Sequence, residues 1–335
     1  MMKKKPAATV ARTAGPAPGK SAARPIAPTA SQRPPHGFSV TQPVLGSDIP
    51  MDLVFVLTRD EIYVPVAIRK PKGDGPFPVI TMGRGDGRGG YIHVQTQVER
   101  LAAMQDRMIE RGYVVVYLNY RNEIPHLYEQ SGQAANLPDD ISGGDNRTLK
   151  SAPTLDSDDF IAIINFLKTL PYVDKHAIGA VGVSHSGEMI LKAAAQIDLA
   201  AGVAIEGASH EFLSVNTGPT APRKKDEIQY QDIEVVRKNA DKASAMKRIR
   251  NIQTPILHIG RNKDHLQGIF KLAHEWMLEA GKDSTWVSFE HPDHGFPYIY
   301  QQADGSYRPS AVQQQAFDLF MDYFDRHLKR RRGRK

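Results

Sequence analysis

The sequence contains no cysteine among its 335 residues. Disulfides, thiolate nucleophiles and cysteine-ligated metals are therefore excluded. It has no uninterrupted apolar run near the roughly 18 residues a membrane helix requires, so no membrane span is expected. Acidic residues are absent from both ends. Residues 1–47 hold four Lys and three Arg, and residues 326–335 hold seven basic groups, for +14 together. The whole chain carries only +6, which leaves −8 on the stretch 48–325. The basicity thus lies in the ends and the body is acidic, which argues against a specific nucleic-acid partner.

Residues 1–47 are rich in Pro, Ala, Lys and Arg without apolar periodicity and read as a disordered basic tail, with a second basic tail at 329–335. The Lys-rich start lacks the apolar core of a secretory signal, because Pro6–Ala11 runs straight into Arg12; the expectation is a cytoplasmic protein. Between the tails, 48–328 reads as one large domain, and a 41% hydrophobic content is enough for a substantial core.

What is present in that domain is an alternation of strands and helices. Leu53–Leu57, Ile62–Ile68 and Phe77–Met82 read as strands. A glycine-rich loop and a helix over about 92–111 follow, then the unbroken apolar run Tyr113–Leu118, a fully buried strand. Residues 121–153 form a long polar loop, and Asp156, Asp158 and Asp159 open a helix as dipole-favouring caps. Further strands are expected at Leu199–Glu206, Pro255–Gly260 and Thr285–Phe289, with helices near 233–249, 267–280 and 311–328. The polar segment 207–250 is expected to form a small lid. This pattern predicts a mostly parallel central sheet with helices on both faces, whose site gathers at the carboxyl ends of the strands.

One stretch carries chemistry. Ala177–Val183 is apolar and β-like, and a helical pattern begins at once after Ser184. A serine on so sharp a strand-to-helix turn projects its hydroxyl outward, and the next backbone N–H sits at a helix N-terminus where an oxyanion is stabilised. Gly182 meets the need for a residue without a side chain two positions earlier. Ser184 is therefore the candidate nucleophile. It requires a base and a carboxylate to orient that base. Asp264 follows the strand Ile256–Ile259 and His294 follows Thr285–Phe289. The order Ser, Asp, His is that of the α/β-hydrolases. Asp264 is preferred to Asp283, which lies in a turn, and to Asp293, which adjoins the base. His291 reads as a surface residue and His258 as a satisfied core residue.

Gly182-Val183-Ser184-His185-Ser186, the Asp264 loop and His294-Gly295-Phe296 before a terminal helix resemble the catalytic domain of prolyl-oligopeptidase-type serine peptidases. They are similar, too, to the dienelactone-hydrolase-like esterases. Leu170-Pro171-Tyr172-Val173-Asp174 belongs to the same pattern. The resemblance covers about 50–328 and implies an α/β-hydrolase fold that cleaves an ester or amide through an acyl-enzyme, without a cofactor or metal. The family's glycine two residues past the serine is Ser186 here, and the His-Gly that opens its oxyanion loop is Met82-Gly83. His294 would serve as base, Asp264 as its orienting acid, and the backbone N–H groups of His185 and Arg84, the latter in the loop after Met82, as the oxyanion hole.

The match to G-x-G-x-x-G at Gly85, Gly87 and Gly90 is a poor dinucleotide fingerprint, because it follows the third strand and no acid ends the next one. The acids near 156 lack the spacing of a calcium loop. The substrate expected is a small ester or a short peptide. Esters are favoured, since the few strand residues before Phe77 cannot make the propeller that filters peptides in the larger peptidases. A peptidase of that type without a propeller, and a catalytically silent hydrolase fold used for binding, are the competing readings.

Overall fold

Short runs of Val, Ile and Ala with no polar alternation need cover on both faces, and the computed structural model supplies it. The structure describes residues 36–59, 61–85, 91–120, 152–216 and 230–329. Nine strands form one sheet: β1 (His36–Val44), β2 (Ser47–Leu57), β3 (Tyr63–Arg69), β4 (Phe77–Gly83), β5 (Val114–Leu118), β6 (Val173–Val183), β7 (Ala201–Ile205), β8 (Ile256–Arg261) and β9 (Ser284–Phe289). Their order is β1-β2-β3-β5-β4-β6-β7-β8-β9. The first three strands are antiparallel and β3 meets β5 antiparallel; from β5 to β9 every pairing is parallel.

Strand periodicity divides the core in two. Val79, Val114, Val116, Ile178 and Ala180 face one layer, packed by Phe160, Ile164, Met189, Phe270 and Trp276. Their sequence neighbours Ile80, Val115, Tyr117 and Val181 face the other, packed by Val98, Met104, Met108, Phe317 and Phe320. The helices of the described residues are α1 (Tyr91–Arg100), α2 (Ala102–Glu110), α3 (Ala152–Leu167), α4 (His185–Ala194), α5 (Ile233–Asn239), α6 (Lys242–Asn251), α7 (Gln267–Glu279) and α8 (Ala311–Phe324). Ser310 and Gln313 close a capping box at the start of α8.

Three expectations need correction. Residues 36–47, read as part of a disordered tail, build β1 and the start of β2, because backbone pairing with β2 orders a segment that has little apolar content. The helix expected over 92–111 is two, α1 and α2, divided at Leu101. The acids at 156–159 do not cap α3, which begins at Ala152; Asp156 bonds His185 and Asp158 pairs with Arg59. The long loop at 121–151 and the segment 217–229 lie outside the described residues, as do the two basic tails up to residue 35 and from 330. The described part of the expected lid is held against the core: Phe212, Leu213, Val236, Ala245 and Ile249 are all buried.

Candidate active site

Parallel strands place their carboxyl ends on one rim, and β4, β6, β7, β8 and β9 are consecutive neighbours there except that β5 flanks β4 on its far side. The first residues past these ends are Arg84, Ser184, Glu206, the loop to Asp264, and the loop to His294. Five stretches far apart in sequence are thereby gathered by strand order alone.

Ser184 heads α4 with φ 55° and ψ −116°. Positive φ is disfavoured for a residue with a Cβ, by about 1–3 kcal/mol at sites of this kind. The surroundings enforce it. The Ser184 amide donates to Ile205 O at 2.9 Å, and Ser184 O accepts from the amides of Ala208 and Glu188 at 3.0 and 3.2 Å. Serine at a helix start ordinarily caps it, but the Ser184 side chain makes no capping bond. The turn closes because glycine occupies the crowded positions. A Cβ on Gly182 would lie 2.6 Å from Ser186 C, and one on Gly83 would lie 2.5 Å from Ser186 Oγ. Ser186, where the resembling families carry glycine, fits inside because Gly83 leaves room for its hydroxyl.

Asp264 and His294 are brought together. His294 Nδ1 lies 2.9 Å from Asp264 Oδ2. Asp264 is fully buried and further held: Arg261 donates to Oδ2 from Nη2 at 2.8 Å and from Nε at 3.2 Å, and the Leu266 amide donates to Oδ1 at 2.8 Å. Burial pushes this carboxyl upward, but the bond and charge of His294, the Leu266 amide and the His265 ring outweigh it and hold it below its ordinary range. Burial in turn pulls His294 down, yet its two carboxylate neighbours prevail and raise it to about 9.

The second of those neighbours is Glu206, which sequence reasoning passed over. Its Oε2 lies 3.0 Å from His294 Nδ1 and accepts the Gly295 amide. It is fully buried, with φ 47°. Its sequence signal is an acid directly after the apolar run of β7. Both partners of Nδ1 are carboxylate oxygens, which only accept, so Nδ1 carries a proton and, in the neutral ring, Nε2 keeps the free lone pair.

The His294 loop is tied to the Ser184 turn. A Cβ on Gly295 would stand 3.0 Å from Val183 Cγ1 and 3.9 Å from the Arg84 guanidinium carbon. Buried Tyr298 donates its hydroxyl to Gly83 O at 3.0 Å or to Val181 O at 3.1 Å, joining the same loop to β4 and β6. On the oxyanion side, a Cβ on Gly85 would lie 3.2 Å from the His185 amide nitrogen, so the loop after β4 passes directly over the start of α4. The Arg84 side chain turns aside to bond Tyr300 Oη. The His185 ring also points away, with Nε2 2.8 Å from Asp156 Oδ2 and an edge-to-face contact with Tyr120. Below the turn, buried Glu188 accepts the amides of Glu211 and Phe212 at 2.7 and 2.9 Å, anchoring the segment after Glu206; burial raises its carboxyl.

The other sequence candidates fall elsewhere. His291 is half-buried, stacked on Phe296 at 4.7 Å. Asp283 and Asp293 are exposed. His258 is buried in β8, but neither ring nitrogen has a hydrogen-bond partner among the described residues, so it is not the satisfied core residue expected. Among the described residues, the ligand atoms of Asp264, His265 and His294 lie within 4.8 Å of one another. Both Asp264 oxygens are already engaged, one by Arg261 and His294, so a metal cation would have to displace a guanidinium. No helix among the described residues is long and apolar enough to cross a membrane.

A mostly parallel sheet with helices on both faces, a serine on a strained turn after β6, and an acid–histidine pair after β8 and β9 define an α/β-hydrolase fold. The profile of the dienelactone hydrolase family matches residues 93–328, and the chain belongs to that family. No curated protein matches its sequence. Among solved structures, it is similar to a protein from Klebsiella pneumoniae described as a candidate dienelactone hydrolase (16% identity, 83% of this chain and 99% of that one, TM-score 0.52). It is similar, too, to an esterase of Pyrobaculum calidifontis (14% identity, 85% and 86%, TM-score 0.52). A puromycin-hydrolyzing peptidase of Mycobacterium tuberculosis shares the fold (13% identity, TM-score 0.56), with 85% of this chain matching 40% of that one.

Proposed function

We propose that the protein is a serine hydrolase that cleaves carboxylic esters through an acyl-enzyme, with Ser184 as nucleophile, His294 as general base and acid, and Asp264 as the acid that orients His294. The observation that carries this reading is the Asp264–His294 bond at 2.9 Å on the rim where Ser184 sits uncapped on its strained turn. His294 Nε2 takes the Ser184 proton as Oγ attacks the carbonyl carbon, then delivers it to the leaving alcohol; water repeats the sequence to release the acid. The tetrahedral oxyanion is received by the backbone N–H groups of His185 and Arg84. Losing one donor of that kind typically costs on the order of 10²–10³ in rate.

A small ester suits the scaffold better than a long peptide. The strands before β4 belong to the central sheet itself and build no separate filtering domain among the described residues. The esterase and family likenesses point the same way, while the peptidase likeness keeps short amides as the second substrate class. A fluorophosphonate probe tests the nucleophile: wild type labels and Ser184→Ala does not. Equal labelling of both removes the assignment. A panel of p-nitrophenyl esters beside aminoacyl and prolyl amides tests the substrate class, and faster amide turnover reverses the preference.

A further inference from the structure

His294 has two acids where one would hold it. Its Nδ1 is hydrogen-bonded to Asp264 Oδ2 at 2.9 Å and lies 3.0 Å from Glu206 Oε2, so carboxylates from two different strand ends face one ring nitrogen. Glu206 is fully buried and bent into positive φ, two unfavourable conditions for a glutamate. The backbone bond from the Glu206 amide to Ile259 O at 2.8 Å accounts for the turn but not for the buried charge. Its bond to the Gly295 amide needs only an acceptor oxygen, which a glutamine would supply without a buried charge. Its Oε1 makes no hydrogen bond among the described residues and lies 3.8 Å from Arg261 Nε. What a carboxylate alone provides here is negative charge at the base.

We propose that Glu206 is a second acid of this site, sharing the His294 Nδ1 proton with Asp264 so that either carboxylate can hold the ring in its working tautomer. The inference rests on reading His294 as the base. Local charges agree with it. Glu206 and Asp264 together face one Arg261 guanidinium, and the group reaches neutrality only when His294 is an imidazolium, the form that exists while the proton is in transit. The other titratable groups around the ring are His265, with ring centroids 5.0 Å apart, and the Arg84 guanidinium beside Gly295. Neither replaces the charge of an acid at Nδ1. Glu206 acts through His294 and is a positioning residue.

The test compares Glu206→Gln, Glu206→Asp, Asp264→Asn and the Glu206→Gln/Asp264→Asn pair in the full chain, by pH–rate profiles on p-nitrophenyl acetate and by NMR titration of the His294 ring. Removing the orienting acid of a one-acid triad costs about 10⁴ in kcat. With Glu206 as second acid, Asp264→Asn loses well under that, and the double variant falls to it. Glu206→Gln moves the inflection for His294 down by about one pH unit or more, the usual effect of one adjacent charge. Glu206→Asp keeps the charge and stays nearer wild type. A structural role would lower the rate at every pH and leave the inflection in place. An Asp264→Asn variant as impaired as the double variant, or an unmoved inflection in Glu206→Gln, overturns the proposal. Should Glu206→Gln not fold, the His294 ring of Asp264→Asn decides: titration above the ordinary histidine value supports Glu206, and a return to that value excludes it. The NMR readout needs no turnover, so a protein that neither labels with fluorophosphonate nor cleaves esters refutes the hydrolase reading while the carboxylate pair is still judged.

Discussion

At the scale of single residues, Ser184 and His294 each trade stability against use. Ser184 is held at φ 55°, which glycine alone adopts without strain. Ser184→Ala keeps that strain, whereas Ser184→Gly relieves it. In an ordinary helix the glycine variant would be less stable by roughly 0.5–1 kcal/mol. Here urea denaturation is expected to find Ser184→Gly at least as stable as Ser184→Ala, with both losing on the order of 10⁶ in turnover. His294 is raised from its ordinary value to about 9. A raised histidine binds its proton more tightly folded than unfolded, so its stabilisation is complete below about pH 6.5 and lost as pH rises through about 9, some 3 kcal/mol in all. The proposed general-base role needs the neutral ring and runs the opposite way, so kcat/KM is expected to climb with pH up to about 9. A profile already level at pH 7 would contradict the two-carboxylate surroundings. Ser184, Asp264 and His294 were legible in the sequence because each follows an apolar strand in a fixed order. Glu206 was not. An acid ending a strand looks like any solvent-facing terminator until one knows that β7 lies between β6 and β8.

Among the secondary-structure elements, the parallel strands were the easiest to read, since burial on both faces leaves continuous apolar runs such as Val114–Leu118. The edge was harder. β1 is largely exposed among its described residues and owes its place to pairing with β2, a long-range contact that composition does not reveal. The division at Leu101 was hidden as well, because the apolar face of Val94, Val98, Leu101, Met104 and Met108 continues across it. β3 and α2 are joined by a contact that no motif announces. Arg69 at the end of β3 is 1% exposed and donates to Asp106 at 2.6 Å, to Ser47 Oγ at 2.6 Å, to Ile49 O at 2.8 Å and to Gln105 Oε1 at 3.1 Å. Burial lowers its guanidinium, and Asp106 only partly offsets this. Cutting one side of such a pair strands the other, so Arg69→Ala is expected to cost about 3 kcal/mol. Denaturant midpoints check this, and they should fall without any change in the pH at which His294 titrates.

For the molecule as a whole, one sheet serves both as core and as the frame of the site, so whatever opens the sheet also dismantles the rim. β8 is expected to be a weak point in acid. His258 sits in its middle, 1% exposed, edge-on to His274 with ring centroids 5.7 Å apart, and neither of its nitrogens is bonded among the described residues. Burial, aided by His274, lowers it to about 3. The unfolded chain therefore takes up a proton near pH 6.5 that the folded chain refuses. Above that pH His258 carries no titration penalty; between about 6.5 and 3, folding loses roughly 1.4 kcal/mol per pH unit on its account. His274 is lowered by burial as well and adds to the same limb. Asp264 is held low and so favours unfolding over a partly overlapping acid range as it gains its proton, which is why the wild-type curve alone does not isolate His258. The substitution His258→Leu does. It fills a similar volume, removes two unbonded polar atoms and cannot be protonated. Its urea midpoint is expected to exceed wild type at pH 7 and the gap to widen steadily towards pH 4, while ester hydrolysis at pH 8 is retained because Asp264 lies beyond the end of the strand. A gap that stays constant with pH would show that acid opens the sheet somewhere other than β8.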